Sequence, residues 1–275
     1  MHENSNFGHE IEISLEEFWR KPNYYGYLLI RHKVLHFREL NPTVEQHQNI
    51  LRELFRGKYN SKKDIPGGIF NTNHKEMLAS IHPVPEQAAR PENFLENWHS
   101  DWPDFLEPPS LTSMHMHTFD VEKGKGGTYF ADMQHAYEVC PPEIKQYLDG
   151  EWNRNVPPPF LHGTGTHPDG IWGEHPALRT HPVSGKTSIF YTGNKTVAIH
   201  NSHQQEAWFQ EFMEWMQTYL EDNHYGYEWT EGDLTVWDNR NVVHAFPMKG
   251  WTPEQRVFNK IEYQYEKPVH HSKTK

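Results

Sequence analysis

Gly232-Asp-Leu-Thr-Val-Trp-Asp-Asn-Arg-Asn-Val-Val-His-Ala-Phe-Pro247 contains two short β-forming runs separated by Asp-Asn-Arg-Asn, with a histidine inside the second. A β-branched and aromatic run, a cluster of turn formers and a second run is the pattern of a strand–turn–strand unit. Comparable short runs lie at 225–229 and 257–265. Residues 111–132 supply two more, joined by Glu122-Lys-Gly-Lys-Gly-Gly127, a flexible turn. These strand-rich stretches surround one long helix at 202–220 and show no βαβ rhythm. They predict a mainly β chain with flanking helices and a double-stranded β-helix core, the jelly-roll or cupin-like architecture.

Working outward, Ser14-Leu-Glu-Glu17 predicts a capping box that opens a short helix, and Thr43-Val-Glu-Gln46 a second one. Behind the latter, Ile50, Leu51, Leu54 and Phe55 make one apolar stripe. Residues 25–30 are apolar and aromatic enough to predict a strand, and 132–139 and 141–148 predict two short helices. Residues 66–96 are Pro-rich and predict loop with a short strand at 77–81. The Pro-, Gly- and His-rich stretch 157–176 predicts a long loop, a candidate lid. No repeat or linker divides the 275 residues, so one domain over 1–275 is expected. The basic tail, 267–275, is expected to lack order.

The formal net charge of −11 argues against a nucleic-acid partner, which would need a basic stripe. A mean hydropathy of −0.89 and the lack of a long apolar run argue against a membrane span, and with no signal pattern a cytoplasmic location is expected. Cys140 is the only cysteine, which excludes an intramolecular disulfide framework and thiolate zinc clusters. It is expected to pack rather than react. A small-molecule substrate and a homo-oligomer, dimer or tetramer, are the expected partners.

His99-Ser-Asp101 places an imidazole and a carboxylate two residues apart, hence on one face of a strand. A second copy, His167-Pro-Asp169, carries a proline in a Gly-rich stretch, which a central strand tolerates poorly. The third ligand is expected from a facing strand, and His244, just past the Asp-Asn-Arg turn, is the candidate. Two histidines and one carboxylate suit Fe(II) with open positions for a bidentate cosubstrate and O2. Period-two alternation sends Arg256, Phe258 and Lys260 to one face. A guanidinium grips a carboxylate in a bidentate fashion, so Arg256 is the better cosubstrate anchor and Lys260 is left for the substrate. The plainer alternatives are a structural histidine at 244 and a solvated strand face at 260. Trp98 or Trp102 are candidate pocket residues, and His115 and His117, which share a face, read as pocket-lining or core-satisfied histidines rather than metal ligands.

Taken with Gly126-Gly-Thr-Tyr-Phe-Ala-Asp-Met133, Arg179-Thr-His-Pro182, Ser184-Gly-Lys186 and Trp229 to Arg240, these residues resemble the TauD/TfdA dioxygenases over about residues 95–265. The resemblance implies Fe(II) held by His99, Asp101 and His244, with 2-oxoglutarate and O2 as cosubstrates. It places Thr128 and Arg256 on the distal carboxylate of 2-oxoglutarate. It implies hydroxylation of a small anionic substrate bearing a sulfonate, phosphonate or carboxylate, with release of succinate and CO2. The family often has Gly-Gly-Asp-Thr where this chain has Gly126-Gly-Thr128. Taurine-oxidising members carry an arginine where this chain has Lys260, so the cation is kept and its fork lost. Related halogenases have a small residue at the position of Asp101, whose presence here implies oxygenation. Three alternatives stay open: a betaine or amino-acid hydroxylase of the same chemistry, a non-catalytic metal-binding jelly roll, and a zinc hydrolase. The last would leave Arg256 without a role.

Overall fold

The computed structural model describes residues 6–56, 98–155, 173–193, 196–199, 206–246, 251–265 and 267–271. The chain opens with β1 (His9–Ile11), α1 (Leu15–Arg20), α2 (Pro22–His32), β2 (Val34–Phe37) and α3 (Val44–Arg56). Then come β3 (Pro109–Phe119), β4 (Thr128–Asp132), α4 (Met133–Val139), α5 (Pro142–Leu148), β5 (Trp152–Asn155), β6 (Gly173–Pro176), β7 (Leu178–Thr180), β8 (Thr187–Ile189) and β9 (Thr196–Ile199). It closes with α6 (Glu206–Asn223), β10 (His224–Tyr227), β11 (Leu234–Asp238), β12 (Val242–Ala245), β13 (Arg256–Tyr265) and β14 (Val269–His270).

A five-stranded sheet runs β1-β2-β11-β3-β13, and a three-stranded sheet runs β10-β4-β12. Their facing sides share one buried cluster: Val34, Met114, Met116 and Trp237 from the first sheet, Phe130, Tyr227 and Val242 from the second. The outer side of the five-stranded sheet carries Leu35, Phe37, Leu111, Leu234, Val236 and Ile261, covered by Phe18, Leu29, Ile50, Leu51 and Leu54 of the first three helices. The outer side of the small sheet, through Ala131, Val243 and Ala245, packs with Phe212, Met216 and Leu220 of α6. Each strand alternates sides as the pleat requires. The space between the two sheets is therefore where inward-facing polar residues must find partners. No described helix is long and apolar enough to cross a membrane.

The Ser14 capping box forms, with the Glu17 amide donating to Ser14 Oγ and the Ser14 amide to Glu17 Oε2. Residues 25–30 differ from expectation: they lie within α2. Pro22 sits in its first turn, and Tyr25, Leu28, Leu29 and His32 bury one face at helical spacing. The basic tail also differs, since Val269–His270 pair with β7 as β14. Residues 77–81, the loop up to 172 and the second His-x-Asp pair lie outside the described residues. Cys140 is buried, and burial pushes its thiol up to about 12.

Of the two readings of His115 and His117, the core-satisfied one holds for His115, which is buried, while His117 is exposed. In register, His115 faces Leu234 and Asn259, whereas Met114 faces Lys260. His115 thus lies under α3, beside the buried His47. Ser113 Oγ donates to the Ile261 carbonyl, so its contact with His47 at 2.7 Å has His47 Nε2–H as donor. Burial, with neighbouring histidines adding to it, lowers His47 to about 3 and His115 to about 4, against 6.5 unperturbed. Buried His36, stacked on Tyr227 at 3.5 Å, is likewise held well below 6.5 by burial and Arg38. Because the unfolded chain binds these protons first, stability is full above about 6.5 and falls as the pH drops toward 4. Urea midpoints should decline steadily from pH 7 to 4.5, and the decline should lessen in His47→Gln. An unchanged slope in that variant would rule out His47 as a contributor.

Candidate active site

His99 and His244 face each other in an antiparallel bridge, each amide donating to the other's carbonyl at 2.9 Å. Reciprocal pairing of this kind sets two side chains next to each other on one face. The ring centroids are 4.2 Å apart. Asp101, two residues along, returns to that face. The candidate ligand atoms of His99, Asp101 and His244 all lie within 4.8 Å of one another. Trp237, at 4.8 Å between centroids, and Phe130, at 6.3 Å, hold the His244 ring from the core side. His99 is partly exposed, which leaves the group open on one side.

Asn239 is a positioning residue that the sequence reading did not single out. Its Oδ1 accepts the Asp101 amide at 2.8 Å, and its Nδ2 donates to the carbonyls of Asp101 at 3.1 Å and Pro109 at 2.9 Å. The next residue back, Asp238, takes two Arg240 hydrogen bonds of 2.7 Å each and one from His181 at 3.0 Å. His181 Nδ1 already accepts the Val183 and Ser184 amides, so its Nε2–H is the donor. The Asp-Asn-Arg turn is therefore a buried clamp on the Asp101 backbone. With ~1–3 kcal/mol lost for each buried group left unpaired, Asn239→Ala should lower the unfolding free energy by at least that much. A denaturant titration in which the variant matches the wild type would remove Asn239 from this role.

The donor set fits a metal. Two imidazoles and a carboxylate, with no thiolate, suit Fe(II). Asp101 Oδ2 is buried and has no hydrogen-bond partner among the described residues. Burial works against the charge on Asp101, but Lys260 and the two histidines hold its carboxyl well below the usual carboxylate range.

A second polar site lies between the sheets. Arg256, at the start of β13, is buried, with Nε donating to the Gly126 carbonyl at 2.9 Å and Nη2 to Thr128 Oγ1 at 3.2 Å. The rings of Phe246, Trp251 and Phe258 surround it, 5.0 to 5.6 Å from Cζ. No carboxylate pairs with it among the described residues, and burial lowers its guanidinium to about 10. Thr128 Oγ1 also accepts from Trp229 Nε1 at 2.9 Å. Both its lone-pair positions are then used by donors, and its own proton is left to offer to a ligand. The turn before it requires its glycines. Gly126 has φ +72°, and a Cβ on Gly127 would meet the Tyr227 carbonyl oxygen at 2.8 Å.

Lys260 and Trp102 lie beside the triad, although Lys260 is not the isolated cation expected. Its Nζ is 2.5 Å from Asp101 Oδ1 and 3.0 Å from Glu262 Oε1. Trp102 stacks on Phe105 with centroids 5.0 Å apart, and its Nε1 donates to Glu262 Oε2 at 2.5 Å. Trp98 does not reach the site. Alternation turns it away from His99 into the core shared with Ala136, Ile144 and Met216, where it is fully buried.

Residues 4–257 match the model of the taurine catabolism dioxygenase TauD, TfdA family. The chain belongs to this family. Among relatives of this TauD/TfdA chain, the alpha-ketoglutarate-dependent 2,4-dichlorophenoxyacetate dioxygenase of Cupriavidus pinatubonensis is 28% identical over 172 residues, 54% of this chain and 53% of that one. The alpha-ketoglutarate-dependent sulfate ester dioxygenase of Pseudomonas putida is 24% identical over 259 residues, 88% and 80% of the two chains. The chain spans about half the length of several other curated relatives it matches. A solved taurine dioxygenase from Burkholderia xenovorans has the same fold, with a TM-score of 0.70 at 18% identity over 97% of this chain and 90% of that one.

Proposed function

We propose that this TauD/TfdA member is an Fe(II)- and 2-oxoglutarate-dependent dioxygenase that hydroxylates a small anionic molecule and releases succinate and CO2. The two facing sheets are taken as its double-stranded β-helix, with His99, Asp101 and His244 holding the iron at one end. The observation that carries the proposal is Arg256: a buried guanidinium with no carboxylate against it among the described residues, sharing its ligand side with the Thr128 hydroxyl. A buried cation without an anion is costly, and a carboxylate that fills the place is bound correspondingly well. Fe(II) with 2-oxoglutarate supplies the activation of O2. The protein's share is to fix the ligand face, to seat the distal carboxylate on Arg256 and Thr128, and to hold the substrate next to the open side at His99.

The anionic substrate class is favoured by the relatives, which are named for a sulfate ester, for sulfonates and for an aryloxyacetate. An ammonium has three donors. Two of those on Lys260 point at Asp101 and Glu262, and the third remains for the substrate's acidic group, with Trp102 alongside.

The test is anaerobic addition of Fe(II) and then 2-oxoglutarate, followed by succinate release in air with alkyl sulfonates, sulfate esters, aryloxyacetates and betaines. A visible charge-transfer band, with succinate release stimulated by one of the anions, is the expected result. A folded, iron-loaded protein without the band would favour the non-catalytic jelly roll, and stimulation by betaines alone would overturn the anionic class.

A further inference from the structure

Two successive residues of the ligand-bearing segment are tied to two residues of one strand. Asp101 Oδ1 is held by Lys260, and the Trp102 indole by Glu262, which also holds Lys260. Lys260 and Glu262 are two apart on β13 and share a face. Trp102 reaches Glu262 from a backbone φ of +47°, a left-handed conformation that a bulky residue adopts only when its surroundings impose it. On the other side, Asn239 fixes the Asp101 backbone at both its amide and its carbonyl. What Asn239 leaves undetermined is rotation of the carboxylate, and Lys260 takes one oxygen of it.

We propose that Lys260 and Glu262 act as a charge-neutral pair that positions the Asp101 carboxylate for the metal. The inference rests on the metal-centre reading above. A lone ammonium at this distance would repel a divalent cation through a partly buried medium, where Coulomb terms are only weakly screened. Glu262 cancels that charge, and what remains is a directed hydrogen bond to Asp101. Outer partners that orient a ligand in this way contribute measurably to metal affinity. Glu262 does not stand out in the sequence, because a Lys-x-Glu alternation reads equally well as a solvated strand face, and Lys260 reads there as a substrate contact rather than as a partner of Asp101.

The test uses Mn(II) binding to the full chain, followed by the resonance of the free ion, so turnover is not needed. Lys260→Met combined with Glu262→Gln removes the pair without changing net charge and should weaken Mn(II) binding ~10- to 100-fold. Lys260→Met alone leaves the Glu262 charge behind and should bind more tightly than the double variant. Glu262→Gln alone leaves an uncompensated ammonium and should bind more weakly than the wild type. Lys260→Arg, which keeps a cationic donor, should restore most of the affinity. A merely structural role would not produce this charge-dependent order. If the double variant fails to fold, Glu262→Gln, close in size to the original, carries the test. Binding within twofold of wild type in the double variant or in Glu262→Gln would overturn the proposal. Failure of the wild type itself to bind Mn(II) would instead sink the metal centre.

Discussion

Arg256→Met is expected to weaken 2-oxoglutarate binding by ~100- to 1,000-fold while leaving the ligand-free protein at least as stable as the wild type. The two effects are expected to have opposite signs because, on the proposed function, the guanidinium awaits an anion that the described residues do not supply. Its described hydrogen bonds run to a carbonyl and a hydroxyl, and burial alone pulls it down to about 10. Truncating one partner of a buried charge pair loses the pair, whereas removing a buried charge that has no counter-ion relieves a desolvation penalty. Methionine keeps an unbranched apolar stem among Phe246, Trp251 and Phe258, so little packing is lost. Arg256→Lys should recover only part of the affinity, since the charge returns without the fork. Thr128→Val should lose less than Arg256→Met but in the same direction, because it deletes one donor and strands Trp229 Nε1. Titration of the charge-transfer band, paired with ligand-free melting, measures both signs. A variant that melts far below the wild type yet binds 2-oxoglutarate normally would show Arg256 to be structural.

The residues legible in sequence were those whose role follows from local periodicity. His99 and Asp101 share a face because they are two apart, and Arg256, Phe258 and Lys260 alternate along one strand for the same reason. The Asp-Asn-Arg turn before His244 was legible as a turn, but the work of its side chains was not. Asn239 looks like an ordinary turn former until the chain folds back and places Asp101 beside it, 138 residues away in sequence. The spacing of His115 and His117 puts them on a shared face, but which face meets the pocket depends on β11 and β13, which pair with β3 from elsewhere in the chain. Residues 25–30 read as a strand in isolation because a six-residue aromatic and aliphatic run fits both periods. The decision came from outside the window, where Pro22 starts a helix and His32 continues its buried face. Val269–His270 became a strand through pairing with β7, a partner no local pattern names.

Asp101→Ala should abolish metal-dependent stabilisation altogether. In the wild type, a metal at about a hundred times its dissociation constant should raise the unfolding free energy by ~2.7 kcal/mol, and the melting temperature should rise with metal concentration. Loss of the single carboxylate leaves two neutral imidazoles, and the affinity should fall well beyond the ~10- to 100-fold typical of an outer partner. The remaining charges sharpen the effect. Without Asp101, Lys260 keeps only Glu262 as an acidic partner among the described residues, and the triad no longer offers a negatively charged ligand to offset an incoming divalent cation. Asp101→Asn separates charge from shape. It retains the size of the side chain and the Asn239 contacts to the backbone, so the metal-free protein should lose only what the Lys260 ion pair contributes, while metal binding is still lost. His244→Ala is the less clean variant, because it also removes a ring packed 4.8 Å from Trp237 and should lower stability in the absence of metal. Melting curves with and without Mn(II), for all three variants, distinguish these outcomes. A metal-induced shift that persists in Asp101→Ala would mean that the metal is held elsewhere, and the assignment of His99, Asp101 and His244 would fall with it.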